Sequence, residues 1–133
     1  MANFHFELVS PEKLLFSGEV SQVDVPGEEG EFGVFAEHAP YVATLKPGVL
    51  TIYRDSGNLR VVVRGGFAEV APGGNLTVLA EQAVLVDDLD PAMIAQAIMD
   101  AEEDVADAAD EVARDKARER LEQLQTLKAA LGH

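Results

Sequence analysis

The chain has 133 residues, 24 acidic against 10 basic side chains and no cysteine. A formal net charge of −14 repels nucleic-acid phosphates and anionic lipid head groups, so direct binding to either is excluded as an expectation. Without cysteine there is no disulfide framework and no thiol chemistry, and no apolar run approaches the roughly 20 residues of a membrane-spanning helix.

Residues 1–86 follow a period of two. Phe4, Phe6 and Leu8 share one face, with His5 and Glu7 on the other. Leu59, Val61 and Val63 alternate with Arg60, Val62 and Arg64, and Leu76, Val78 and Ala80 alternate with Thr77, Leu79 and Glu81. Strict alternation marks half-buried strands. Turn signals at Ser17-Gly18, Pro26-Gly27, Pro47-Gly48, residues 55–58, Gly65-Gly66 and residues 72–75 separate the runs, and no helix intervenes. The pattern predicts a small antiparallel sandwich or flattened barrel. The amino terminus lacks a basic segment followed by a continuous apolar one, so no signal peptide is expected.

Within this half, residues 27–48 are the densest in turn chemistry. Gly30 and Gly33 flank an acidic turn, a short apolar strand follows, then His38-Ala39-Pro40 and Lys46-Pro47-Gly48. The glycines permit positive φ and close approach, whereas Pro40 and Pro47 fix φ and remove amide donors. Glu28 and Glu29 sit in a glycine-flanked turn, where exposure is expected. His38 reads equally as an interface contact or as a loop histidine bonding a nearby carbonyl. Gly65-Gly66 precedes a strand rather than a helix, so it offers no amide array for phosphate.

The period changes at Leu89-Asp90-Pro91. Asp90 suits a helix N-cap and Pro91 the first helical position. Ile94, Ala97, Ile98, Ala101, Val105, Ala108 and Val112 recur at steps of three and four, as do Ala117, Leu121, Leu124, Leu127 and Leu131. A break near residues 104–110 predicts two helices, with Asp110 starting the second and Arg114 as its ion-pair partner. The apolar stripe is alanine-rich and narrow, so the hairpin is expected to dock weakly and to move. From Asp87 onward 13 acidic and 5 basic side chains leave a net of −8, the mark of a solvated helical surface. Arg114, Lys116, Arg118 and Arg120 crowd into seven residues. They read either as intrahelical partners of Glu111 and Glu122 or as a basic patch for an acidic protein.

No metal or catalytic pattern emerges. His5, His38 and His133 are scattered and no zinc-type spacing exists. Asp87, Asp88 and Asp90 lack the glycine and distal glutamate of a calcium loop, and a helix dipole accounts for them. Nucleophile elbows, P-loops and dinucleotide fingerprints are also missing. These residues also fit a free-standing acidic β-sandwich adaptor that oligomerises through its helices.

Several motifs in one order carry a more specific reading: FELVSPEKLLFSGEV, VPGEEGEFGVFAEHAP, LKPGVL, VVVRGGFAEVAPGGNLTVLAE and DDLD. Together they resemble the ε subunit of bacterial F-type ATP synthases, the counterpart of mitochondrial δ. The resemblance implies an N-terminal sandwich of about ten strands over residues 1–86 and a C-terminal helical hairpin over residues 87–133. It implies a non-catalytic subunit that joins γ and the c-ring in the rotating stalk, beside the α and β subunits, and couples proton flow to ATP synthesis. The location implied is peripheral, on the cytoplasmic face of the bacterial plasma membrane. The ring-facing turn falls on Glu29, Gly30, Glu31, Phe32 and Gly33, and the second stalk-base loop on His38, Ala39 and Pro40. The basic residues Arg114, Lys116, Arg118 and Arg120 correspond to those that meet an acidic segment of β when the hairpin extends, implying weak inhibition of hydrolysis. Some members bind ATP through (I/L)-D-x-x-R-A at the first helix. Here Met93 replaces the Arg and Ile94 the Ala, so a phosphate donor is missing and no cofactor is expected.

Overall fold

A computed structural model of the chain describes residues 2–132, so His133 lies outside the described residues. The chain forms two compact units, residues 1–85 and 86–133.

Eight strands build the first unit: β1 (Phe4–Ser10), β2 (Lys13–Val20), β3 (Gln22–Gly27), β4 (Gly30–Phe35), β5 (Tyr41–Thr44), β6 (Gly48–Tyr53), β7 (Leu59–Val70) and β8 (Leu76–Leu85). They pair in the order β2-β1-β8-β7-β6-β3-β4, with β5 on the second half of β7. Alternation works as the sequence implies: Phe4, Phe6 and Leu8 are buried while His5 and Glu7 are only partly so. Inward side chains from β1, β2, β3, β4, β6, β7 and β8 meet in one core. Phe6, Leu8, Leu50, Ile52 and Leu76 are among its fully buried members. Each such side chain stabilises the fold by about 1.5–3 kcal/mol.

Two features depart from the sequence reading. Eight strands stand where about ten were expected, because Gly65-Gly66 is a corner inside β7 and not a turn between strands. The core members of β7 shift from odd positions (Val61, Val63) to even ones (Ala68, Val70) across that pair. The register to β8 holds throughout, from Val61↔Leu85 to Val70↔Leu76. Both long strands therefore change face at the corner and serve two layers, as bends at sheet corners do. Gly65 and Gly66 have φ of 71° and 95°, and a Cβ on Gly66 would run into the backbone carbonyl of Leu79. The second departure is that β1 and β8 run parallel, Phe6↔Leu76 to Val9↔Leu79. No hairpin joins these two strands, so nothing local imposes antiparallel pairing.

In the second unit a 3-10 turn (Val86–Asp88) precedes α1 (Pro91–Asp107) and α2 (Glu111–Leu131). The caps are those expected. Asp90 accepts from the amides of Ala92 at 2.9 Å and Met93 at 3.4 Å, and Asp110 accepts from Ala113 at 2.8 Å. Such caps contribute about 1 kcal/mol each. Ile94, Ile98, Ala101 and Leu124 form the apolar seam, with Ala97, Leu121, Leu127 and Leu131 against it. Val112 leaves the expected stripe and is 67% exposed. The break at residues 108–110 resets the helical phase, placing it in the first turn of α2.

Candidate functional site

The chemistry of residues 27–44 begins with a tight hairpin. Gly27 pairs with Gly30, leaving Glu28 and Glu29 as the two turn residues. Neither glutamate has positive φ, whereas Gly30 takes φ 131° and absorbs the reversal. Gly27 is held to glycine by space: a Cβ there would lie 2.9 Å from the Gly30 carbonyl oxygen and 3.1 Å from the Phe32 ring. The glycine-flanked turn expected at Glu28 and Glu29 is thus present, whereas the acidic turn expected between Gly30 and Gly33 is strand. Glu31, Phe32 and Gly33 belong to strand β4, because pairing with β3 starts at Gly30. Glu29, Gly30, Glu31 and Gly33 are exposed and Phe32 is half-buried.

Gly33 faces Asp24 across the ladder, and a Cβ on it would come 3.3 Å from the Asp24 carboxylate. That carboxylate accepts from Gln22 Nε2 at 2.6 Å and from the Tyr53 hydroxyl at 2.7 Å. The Tyr53 phenol is pushed above its ordinary value of 10.0, first by this hydrogen bond, then by burial and by the charge of Asp24. Gly33 leaves room for this polar bridge across β3 and β6.

The second loop turns sharply at residues 35–38, where the His38 amide donates to the Phe35 carbonyl at 3.2 Å. Glu37 is held at φ 65°, a left-handed conformation uncommon outside glycine. His38 Nδ1 lies 2.7 Å from the Ala39 carbonyl oxygen. A carbonyl only accepts, so Nδ1 is the donor in this contact. The carbonyl-bonding role read from the sequence is therefore present. Ala39 and Pro40 are exposed.

The structure brings the two loops together through a residue that the sequence reading missed. Tyr41 stacks edge-to-face on Phe32, with ring centroids 5.4 Å apart, and tilts against His38 at 6.4 Å. Backbone bonds reinforce the junction: Glu28 donates to Thr44, Lys46 donates to Pro26, and Gly27 bridges Leu45. Tyr41 stays 43% exposed. An aromatic residue directly after the loop proline was the available signal, since an edge strand offers such a ring to its neighbour. The hairpin turn and β5 enclose a cleft of about 260 Å³.

The basic residues of α2 divide into two pairs. At about 100° per residue, Arg114 and Arg118 lie close in azimuth, as do Lys116 and Arg120, and the pairs point to opposite sides. Arg114 is half-buried and the other three are exposed. Arg118 reaches Asp115 at 4.0 Å, and not the expected Glu122. The pairing expected of Arg114 with Asp110 or Glu111 is likewise not formed among the described residues; Asp110 spends its carboxylate on the helix cap. Met93 is 70% exposed in the first turn of α1. Among the described residues no group of three or more acidic or histidine side chains is arranged to hold a metal ion, and no helix is long and apolar enough to cross a membrane.

Comparison with known proteins agrees with this architecture. Residues 3–86 match the family model of the ATP synthase Delta/Epsilon chain, beta-sandwich domain. The ATP synthase epsilon chain of Mesorhizobium japonicum is 54% identical over 129 residues, 96% of this chain and 95% of that protein. That of Maricaulis maris is 46% identical, covering 97% and 96%. A chain of the Euglena gracilis mitochondrial ATP synthase, solved with OSCP, F1 and c-ring, superposes with a TM-score of 0.85 at 28% identity, covering 98% of this chain and 82% of that one. With a sandwich that matches the family model and a resemblance that extends through both units, this chain belongs to the family of ATP synthase delta/epsilon chains.

Proposed function

We propose that this chain is the non-catalytic ε subunit of the central stalk of a proton-transporting ATP synthase, binding γ and the c-ring and coupling proton flow to ATP synthesis. One observation carries the reading: ε chains match it at 46–54% identity over nearly the whole length of both proteins. A free-standing adaptor would not require that. The complex sits on the membrane, and this chain is peripheral to it, on the cytoplasmic face of a bacterial plasma membrane. The loops at Glu29–Gly33 and His38–Pro40 form the stalk-base contact. Their exposure and their mutual packing through Tyr41 support that role, since a rigid surface loses less entropy on binding. The basic residues of α2 meet an acidic segment of β in an extended state and inhibit hydrolysis weakly.

The chain has no cysteine, so one introduced thiol is a unique handle. Glu31→Cys and His38→Cys, each carrying a short thiol-reactive photo-crosslinker in the assembled complex, are expected to give adducts with the c-ring. Adducts confined to the α and β subunits would overturn the placement.

A further inference from the structure

A second cleft opens at the end of β3 remote from the Glu28–Glu29 turn, between the β2–β3 junction and the turn after β6. Its volume is about 330 Å³, within the roughly 300–1,000 Å³ of small-molecule sites. Arg54, Asp55 and Glu19 line it, together with Ser17 and Ser56. Arg54 is half-buried and, among the described residues, forms an ion pair with neither carboxylate, although the chain holds 24 acidic side chains. Asp55 is exposed and likewise has no ion pair among the described residues, whereas Glu19 lies 3.9 Å from His5 Nδ1. Opposite charges that share one cleft without pairing suit a ligand that carries both signs. We propose that this cleft binds a free α-amino acid, with its carboxylate on Arg54, its ammonium on Asp55 and a polar side chain toward the serine hydroxyls.

The guanidinium is held in place before any ligand arrives. Its Nε donates to the Gly57 carbonyl at 2.9 Å, and its carbon lies 5.9 Å from the centroid of the Phe16 ring. Phe16 in turn rests on the buried Phe6, with ring centroids 5.6 Å apart. The neighbouring wall is pinned where the Ser21 amide and hydroxyl donate to the Tyr53 carbonyl at 2.9 and 3.1 Å. With Nε and one ring face engaged, the two terminal nitrogens keep the planar fork that pairs a carboxylate bidentately. A ligand of net negative charge would meet Asp55 and Glu19 in the same cleft, which disfavours phosphates and dicarboxylates. Such binding requires neither γ nor the c-ring, so it can fail while the assembly reading stands.

The test is an amide NMR titration of the full-length chain with L-glutamine. N-acetyl-L-glutamine, which lacks the ammonium, and L-glutamine α-amide, which lacks the carboxylate, serve as controls. L-Glutamine should shift the amides of residues 16–21 and 54–57 saturably, and each control should do so more weakly. Arg54→Gln should weaken binding about tenfold, as expected when a hydrogen bond between charged groups is lost. Asp55→Asn should weaken it about twofold to fivefold, as expected for an exposed charge pair. The asparagine variant alters one exposed turn side chain, so it decides the matter if Arg54→Gln does not fold. No saturable shift, shifts spread over the acidic helices, equal shifts with either control, or binding unchanged in Asp55→Asn would overturn the proposal.

Discussion

Gly66 shows how much a single residue decides. Its positive φ and the Leu79 carbonyl beside it leave no position for a Cβ without moving backbone. Gly66→Ala should destabilise the sandwich by about 2–4 kcal/mol, measured by urea unfolding followed in the β-sheet circular dichroism signal. Tyr53 gives a second residue-scale expectation. Its folded value lies above 10.0, so its bridge to Asp24 contributes fully below the unfolded value and is lost as pH rises through the folded one. Spectrophotometric titration should show a late-ionising phenol that disappears in Tyr53→Phe and moves earlier in Asp24→Asn. At this scale the sequence spoke unevenly. Asp90 and Asp110 were legible because a cap is a local bond. The Tyr41 junction was not, because its partners Phe32 and His38 lie on separate segments that only tertiary pairing aligns. The turn at Glu28–Glu29 was legible from its flanking glycines, whereas Gly30 and Gly33 around Glu31 and Phe32 suggested a turn where the chain is already paired strand.

At the level of elements, alternation and helical periodicity identified the strands and both helices. They could not reveal that β7 continues through Gly65-Gly66. A paired glycine reads locally as a turn, and only the unbroken register to β8 shows that it is a corner. Nor could alternation give the parallel β1–β8 pair, which follows from the return of the chain after a long excursion. On α2 the four clustered basic residues are close in sequence but divided in azimuth. Under the proposed inhibitory contact, a single acidic segment on a partner would face only one pair at a time. Ala at all four positions should then raise the ATPase rate, and one of the double variants Arg114→Ala/Arg118→Ala and Lys116→Ala/Arg120→Ala should reproduce most of that increase, at low ionic strength above all. Equal partial effects from the two pairs would mean that the partner wraps the helix.

For the whole molecule, the distribution of burial separates a self-sufficient sandwich from a thinner hairpin. The sandwich core holds phenylalanine, leucine, isoleucine and valine with little or no exposure, whereas the hairpin seam relies on Ile94, Ile98, Leu124 and small alanines. Residues 1–86 alone should then show a cooperative, β-rich unfolding transition by circular dichroism; a chain that is disordered after removal of residues 90–133 would refute this. The decisive question is whether the molecule couples the two halves of a rotary enzyme. Inverted membrane vesicles depleted of this chain should hydrolyse ATP with little proton uptake, and adding back the purified chain should restore ATP-driven acidification measured by a pH-sensitive dye. Uptake that is undiminished in its absence, or unrestored by its return, would contradict the assignment to the central stalk.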